Sequence, residues 1–298
     1  MEIIDIISQI PSLNIEGNRS QMKEGYMCEI YNSAPTITLY EWIQSACEEI
    51  VKRNNIDPLN IGIIINSSIG LYETTAKKNT SAPGIGYHVQ KSLNANNAFV
   101  FELFHNDWGN MLQISSNFMS RTEYDYSLVL QTNKFTNTLK DYDNGFSIPD
   151  GISIMLIKKS HGSLKLKNYP LAICKKASFE FNAKNKDLLQ QDILFRLQWD
   201  YDHNSIKEIN KQLNEIVESL QKKEIAIVTD CWFREHGDAD STKLTLHNSE
   251  QNALAMHTIP WNIKRDFDYY GRLDSYAMVS FNPFSSYYSV LKISKNEN

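Results

Sequence analysis

The spacing of apolar residues alternates along the chain between a helical and a strand-like period. In residues 39-51 the apolar side chains recur every three or four positions, which predicts an amphipathic helix that ends before Asp57-Pro58. The run IGIIIN at 61-66 is short and β-branched, and it predicts a buried strand. Further buried strands are predicted at 126-132 and 151-159, with helices before and between them. This alternation predicts a layered α/β sheet.

One segment, AFVFELFHNDWGNMLQ at 98-113, predicts a strand, a polar bend and a helix in direct succession. Many α/β enzymes present a nucleophile at such a bend, because the turn pushes one side chain out of the packed layer. Here the bend carries His105, Asn106 and Asp107, so its tip offers a carboxylate. Asp107 has two interpretations: a cap for the helix N-terminus, or an acid that faces a histidine across a pocket.

The second half of the chain repeats the elements of the first. Residues 205-220 predict an amphipathic helix, and the strand EIAIVTD follows it, as IGIIIN follows the helix at 39-51. YAMVSFNPF resembles YSLVLQTNKF, and YYSVLKISK resembles GISIMLIKK. Two similar halves, 1-158 and 159-298, therefore predict one compact, internally duplicated α/β unit.

Composition and charge exclude several classes of function. The chain has 298 residues, of which 42% are hydrophobic and 22% charged, as in an ordinary globular protein. A net charge of -5, without a Lys/Arg block, disfavours a nucleic-acid partner. No apolar run approaches the roughly 20 residues that cross a bilayer, and the first residues do not resemble a signal peptide. Four cysteines without CxxC spacing suit a reducing compartment, so we expect a cytoplasmic protein.

The order and spacing of several segments resemble the thiolase superfamily, and within it the ketosynthase III-like branch (β-ketoacyl-acyl-carrier-protein synthase III and its relatives). The segments that carry the resemblance are NNIDPLNIGIIINSS, FVFELFHNDWGNMLQI, IPDGISIMLI, CWFREHG, DFDYYGRLDS and MVSFNPFSSYYSVLKI. The resemblance covers most of the chain. It implies a thiolase-like fold with internally duplicated α/β/α/β/α layers.

Carried over position by position, the resemblance places the family's three catalytic residues on Asp107, His236 and Arg272. In the family these positions hold a Cys nucleophile, a His and an Asn, so only the His is retained. The chemistry that the resemblance implies uses coenzyme A or acyl-carrier-protein thioesters as substrates and needs no bound cofactor. A carboxylate is a poor substitute for the Cys, since its attack on a thioester would give a mixed anhydride of higher energy.

Two hypotheses about function follow from the resemblance. The favoured one is a non-catalytic subunit in a dimer, paired with a Cys-containing ketosynthase III-like subunit that serves fatty-acid-derived or polyketide biosynthesis, with an acyl carrier protein as a further partner. Its motivation includes the lack of room for the family's helix between Arg272 and the strand near Tyr276. The alternative is a stand-alone acyltransferase or thioester hydrolase in which His236 is the general base, Asp107 assists it and no acyl-enzyme forms.

The string HGDAD at 236-240 offers weaker candidates for a site. His236, Asp238 and Asp240 are residue types that bind metals, and His-x-x-x-Asp occurs in acyltransferases of another fold. An exposed acidic loop is the favoured interpretation, so no metal is expected. His105 is a second candidate base, and Cys231 is interpreted as a small buried hydrophobic residue.

Overall fold

The structure is a computed structural model that describes twelve ranges of the chain. These ranges are 1–10, 38–68, 73–75, 78–79, 84–133, 151–160, 163–171, 177–183, 193–199, 203–223, 225–230 and 256–294. The helices are α1 (Leu39–Arg53), α2 (Ile85–Leu93), α3 (Trp108–Met119), α4 (His203–Gln221), α5 (Thr258–Arg265) and α6 (Phe267–Arg272). The strands are β1 (Glu2–Gln9), β2 (Ile61–Ser68), β3 (Glu73–Thr75), β4 (Lys78–Asn79), β5 (Phe99–Phe104), β6 (Tyr126–Asn133), β7 (Gly151–Lys158), β8 (Ser163–Pro170), β9 (Ala177–Ala183), β10 (Ile193–Trp199), β11 (Ala226–Thr229), β12 (Ser275–Asn282) and β13 (Tyr287–Ser294).

The first large sheet has the strand order β1-β7-β6-β2-β5. Its central strand β2 runs parallel to β5 and β6, and β7 runs antiparallel to both β6 and β1. Every residue of β2 is buried, because helices cover both faces of the sheet. A strand covered on both sides needs no polar alternation, which explains the isoleucine-rich sequence of β2.

The second large sheet has the order β11-β12-β13-β8 and repeats four strands of the first sheet. Its β11 and β12 are parallel, whereas β12–β13 and β13–β8 are antiparallel, so the four strands match β2, β6, β7 and β1 in order and direction. All strands of the first sheet precede residue 159, and those of the second follow it. The interpretation of 1-158 and 159-298 as two copies of one unit stays a prediction.

Helices and sheets alternate in five layers. α1 and α2 pack on the outer face of the first sheet, and α4 packs on the second through β11 and through the Tyr288 hydroxyl, which lies 3.4 Å from the Ile209 carbonyl. α3 contacts strands of both sheets, and α5 contacts β1, β7 and β11, so these two helices form the central layer. The core between the sheets includes Trp108, Met111 and Ile259, all fully buried.

Helices and strands with a clear pattern of apolar residues were predicted from the sequence, and other elements were missed. The structure confirms the predicted helices α1, α2, α3 and α4, the predicted strand β5, which is an exposed edge strand, and the buried strands β2, β6, β7, β11, β12 and β13. The sequence analysis did not predict β1 or β8, the outer strands of their sheets, and it missed α5 and α6. As expected from the sequence, no helix lies between Arg272 and the strand near Tyr276, because α6 ends at Arg272 and β12 begins at Ser275. Across the described ranges, no helix combines the length and the apolar character needed to span a bilayer.

Candidate functional site

The bend between β5 and α3 is held by the ends of two neighbouring strands. His105 has a φ of 32°, a conformation that is uncommon outside glycine, and its N–H donates to the Ser68 carbonyl at 2.9 Å. The next residue, Asn106, receives a hydrogen bond from Gln131 at its carbonyl (2.6 Å) and donates its N–H to the Ser67 hydroxyl (2.7 Å). These contacts with β2 and β6 fix the direction in which the chain enters α3.

Asp107 is the N-cap residue of α3, as the helix-cap interpretation predicts. Its backbone is extended, and its Oδ1 accepts the N–H of Asn110 at 3.0 Å, three residues into the helix. Its Oδ2 accepts a further hydrogen bond from the Asn110 side-chain amide at 2.6 Å. A carboxylate at this position satisfies an otherwise unpaired helix N–H and suits the positive end of the helix dipole.

The same carboxylate also bonds to the second half of the chain. The Tyr287 hydroxyl donates to Asp107 Oδ2 at 2.6 Å, and the Ser289 hydroxyl donates to Oδ1. Tyr287 in turn accepts hydrogen bonds from the side-chain amides of Asn110 (2.8 Å) and Asn282 (3.2 Å). Burial, and secondarily the negative charge of Asp107, raises the pKa of Tyr287, so its phenol stays protonated and remains a donor.

These contacts leave the Asp107 carboxylate little capacity for chemistry. It is 3% exposed and accepts four hydrogen bonds, two from Asn110 and one each from Tyr287 and Ser289. A carboxylate has about four lone-pair positions, so this number saturates it. Gly109 adds to the close fit, because a Cβ there would lie 2.6 Å from the Ser289 Oγ.

His105, the second candidate base of the sequence analysis, is a buried residue of the bend. Its ring packs against Phe284 with a centroid distance of 4.5 Å, and the residue is 4% exposed. Burial lowers the pKa of His105 to about 3, because the charged imidazolium would lose its hydration. A histidine of such low basicity is neutral at physiological pH and is a weak proton acceptor.

The structure does not describe the side chains of the two other predicted catalytic residues, His236 and Arg272. His236 lies outside the described residues, as do Cys231, Asp238 and Asp240, so the predicted approach of His236 to Asp107 stays a prediction. Arg272 is the last residue of α6, and only its backbone is described. It therefore ends a helix, whereas Asp107 begins one.

His257 is a buried residue of the central layer that the sequence analysis did not single out. It precedes α5 as Asp107 precedes α3, and it is completely buried. Its Nδ1 lies 2.9 Å from the Ser153 Oγ, and its Nε2 lies 3.3 Å from the Asn133 side-chain nitrogen. Burial lowers the pKa of His257 to about 3, so the ring is neutral. Histidine is not a preferred N-cap, so the start of α5 could not be recognised from this residue type.

The two helix starts are neighbours in the centre of the molecule. The Trp108 indole N–H, next to Asp107 in the chain, donates to the carbonyl of Met256, next to His257, at 2.7 Å. Within the described part of the chain, no three His, Cys, Asp or Glu residues are grouped so that they could hold a metal ion. Among the described residues, the two helix starts bring together a buried carboxylate and buried neutral hydrogen-bonding groups.

Comparison with known proteins gives similarity in structure without similarity in sequence. No protein-family model and no curated protein matches the sequence. Among solved structures, a β-ketoacyl-acyl-carrier-protein synthase III from Thermus thermophilus superposes with a TM-score of 0.70 at 13% identity, covering 100% of both chains. The tetronic acid condensing enzyme AbyA1 gives a TM-score of 0.67 at 12% identity, covering 98% of this chain and 99% of its own.

A third similar structure is the priming β-ketosynthase of the R1128 polyketide pathway, with a TM-score of 0.65 at 12% identity over 99% of this chain and 96% of the other. These matches span nearly whole chains and both sheets. The fold is thiolase-like. The fold class expected from the sequence is thereby confirmed, while identities of 12% to 13% carry no statement about activity.

Proposed function

We propose that this chain is a non-catalytic subunit of a condensing or acyl-transferring enzyme that acts on coenzyme A or acyl-carrier-protein thioesters. The observation that carries the proposal is the saturated carboxylate of Asp107, which occupies the position that the family resemblance assigns to the nucleophile. The names of the similar structures, a condensing enzyme and two ketosynthases, support this class of reaction. Fatty-acid-derived or polyketide biosynthesis is the proposed setting, in the cytoplasm.

The contacts of Asp107 oppose nucleophilic attack by its carboxylate. Attack on a thioester requires one carboxylate oxygen to give up its donors and approach the acyl carbon, and the product is an activated mixed anhydride. Hydrogen bonds to a charged group each contribute about 1.5–3 kcal/mol, so losing two of them would add several kcal/mol to the barrier. The geometry therefore suits a carboxylate that stabilises the fold.

The edge of the first sheet supports the proposed pairing with a second subunit. β5 is the outermost strand there, and it exposes Phe99 (58%), Phe101 (39%) and Phe104 (59%). Exposed apolar side chains along an edge strand offer apolar area to another chain. We propose that a Cys-containing ketosynthase III-like subunit pairs with this edge and that an acyl carrier protein serves the pair.

The proposal can be tested on the purified chain by intact-protein mass and thiol release. Acyl-coenzyme A and acyl-carrier-protein thioesters of several lengths would be incubated with the native chain, with Asp107→Cys and with the isosteric control Asp107→Asn. We expect the native chain and the Asn control to gain no acyl mass and to release no thiol. Condensation by the native chain alone would overturn the proposal. Acylation of the Cys variant would further show that thioesters still reach this position.

The same experiment distinguishes the alternative, an acyltransferase or hydrolase that uses His236 as its base. Thiol release by the native chain, without an acyl adduct and abolished by His236→Ala, would establish that alternative. It requires Asp107 to assist His236, and the described contacts of Asp107 do not favour this because its oxygens are already occupied.

A further inference from the structure

The surroundings of Asp107 and His257 correspond to each other residue by residue. Asp107 bonds to Ser289, the third residue of β13, while His257 bonds to Ser153, the third residue of β7. An asparagine at the end of the neighbouring strand completes each set, and it lies opposite the first residue of the serine's strand. The pairs are Asn282 with Tyr287 and Asn133 with Gly151.

The hydrogen bonds of Asp107 and His257 to these strands join one half of the chain to the other. Asp107 begins α3 in the first half and bonds to β13 in the second, whereas His257 begins α5 in the second half and bonds to β6 and β7 in the first. We infer that the two sets are reciprocal locks, in which each half fixes the start of its central helix against the sheet of the other. This inference is independent of the proposed function, since it concerns only how the halves are held.

The two locks differ in whether the helix-start residue or the strand residue has the larger side chain. In the Asp107 lock the cap is small, and Tyr287 fills the space and provides a hydroxyl group. In the His257 lock the cap is large, and the corresponding strand position is Gly151, where an added Cβ would lie 2.8 Å from the His257 Nε2. In one lock the strand residue is large and the helix-start residue is small, and in the other lock the reverse holds. Both locks are therefore filled by side chains.

The hydrogen bonds of the His257 lock determine which ring nitrogen of His257 carries the proton. The Asn133 amide group is the donor toward Nε2, so Nε2 accepts and Nδ1 carries the proton. The Nδ1–H then donates to the Ser153 Oγ, which also lies within hydrogen-bond distance (3.0 Å) of the Ser8 Oγ on the outer strand β1. This tautomer assignment gives the lock a spectroscopic signature of its own.

Amide hydrogen exchange of Ser289→Ala and Ser153→Ala tests whether the locks act together. Each variant removes the serine's hydrogen bond to the helix start of one lock, and Ser153→Ala also removes the contact with Ser8. A net loss of about 1–1.5 kcal/mol corresponds to roughly five- to tenfold faster exchange. We expect Ser289→Ala to accelerate exchange at the starts of α3 and β13 and also at the starts of α5 and β7. Ser153→Ala should do the same from the other side.

A matched control comes from a buried serine pair within one half. The Ser115 and Ser127 hydroxyls lie 2.6 Å apart between α3 and β6, so Ser115→Ala removes a similar hydrogen bond that does not join the halves. Its effect should stay within the first half. The inference is overturned if the lock variants accelerate exchange only beside the substituted serine, as the control does. Imidazole ¹⁵N shifts that place the His257 proton on Nε2 would refute the assigned network.

Discussion

A single side chain, Asp107, illustrates how a residue can occupy a functional position and hold a structural role. The carboxylate caps α3 and accepts hydrogen bonds from two hydroxyl groups of β13. Sequence reasoning predicted the cap because Asp is a favoured residue at such a position. The contacts with Tyr287 and Ser289 could not be predicted, since they join residues 180 and 182 positions apart.

Replacing Asp107 by Asn should destabilise the protein strongly. The substituted amide can accept at one atom only, and its NH₂ group would face at least one of the donors that now bond to the carboxylate. We expect the free energy of unfolding to fall by about 3 kcal/mol, measured by urea denaturation. Asp57→Asn is the control: Asp57 caps an exposed turn through the Leu59 N–H at 3.0 Å, and its change should stay below about 1 kcal/mol. Equal losses in both variants would contradict this account.

His257 should make stability depend on pH. Its pKa is about 3 in the folded protein and 6.5 in an unfolded chain, so below pH 6.5 the unfolded state binds the additional proton. Stability therefore falls as pH decreases from 6.5 toward 3, by about 1.4 kcal/mol per pH unit from this residue. His257→Gln should reduce the slope of unfolding free energy against pH in that window. An unchanged slope would show that His257 is already solvated or charged in the folded state.

Among the elements, burial on both faces determined which could be recognised in the sequence. β2 and β7 are nearly continuous apolar runs, and α1 and α4 have apolar stripes, so their patterns were visible. β1 and β8 are outer strands without a long apolar run: β1 reads EIIDIISQ and β8 reads SLKLKNYP. α5 has only eight residues, with Pro260 in its first turn, which is too short for a periodic signal.

The exposed face of β5 should control self-association or pairing. Phe99→Lys and Phe104→Lys add charge to an apolar edge strand, so we expect the protein to shift toward monomer in sedimentation velocity, alone and with a candidate partner. Leu59→Lys is the matched control, because Leu59 is 46% exposed and lies outside the strand. If the control dissociates the complex as readily as the β5 variants, the interface lies elsewhere.

At the scale of the whole molecule, the central layer connects the two sheets. The fold class could be predicted because the strand and helix order repeats along the sequence, and each copy predicts the same layer. The positions of the site residues could not, since His257 and Asp107 meet strands of the opposite half. Arg272, which the resemblance assigned to the site, is the last residue of α6, and its assignment stays a prediction.

Trp108 tests the connection between the halves. Its buried indole donates to the Met256 carbonyl, so Trp108→Phe removes that hydrogen bond and leaves a cavity. We expect a loss of about 2–4 kcal/mol in the free energy of unfolding, measured by denaturant titration. Trp261→Phe, at a residue that is 37% exposed, should cost less than about 1 kcal/mol. A Trp108 variant as stable as the Trp261 variant would mean that the halves are joined by other contacts.

The difference in side-chain size between Gly151 and Tyr287 also limits which halves could be combined in one chain. A chain assembled from two first halves would set a short carboxylate against a glycine, and two second halves would force an imidazole onto a phenol. Neither chain made from two like halves would pack well at its centre, because one would have a gap there and the other a steric clash. Each half therefore carries the strand residue that fits the helix start of the other half, and we expect a change of size at one helix start to require a compensating change on the distant strand.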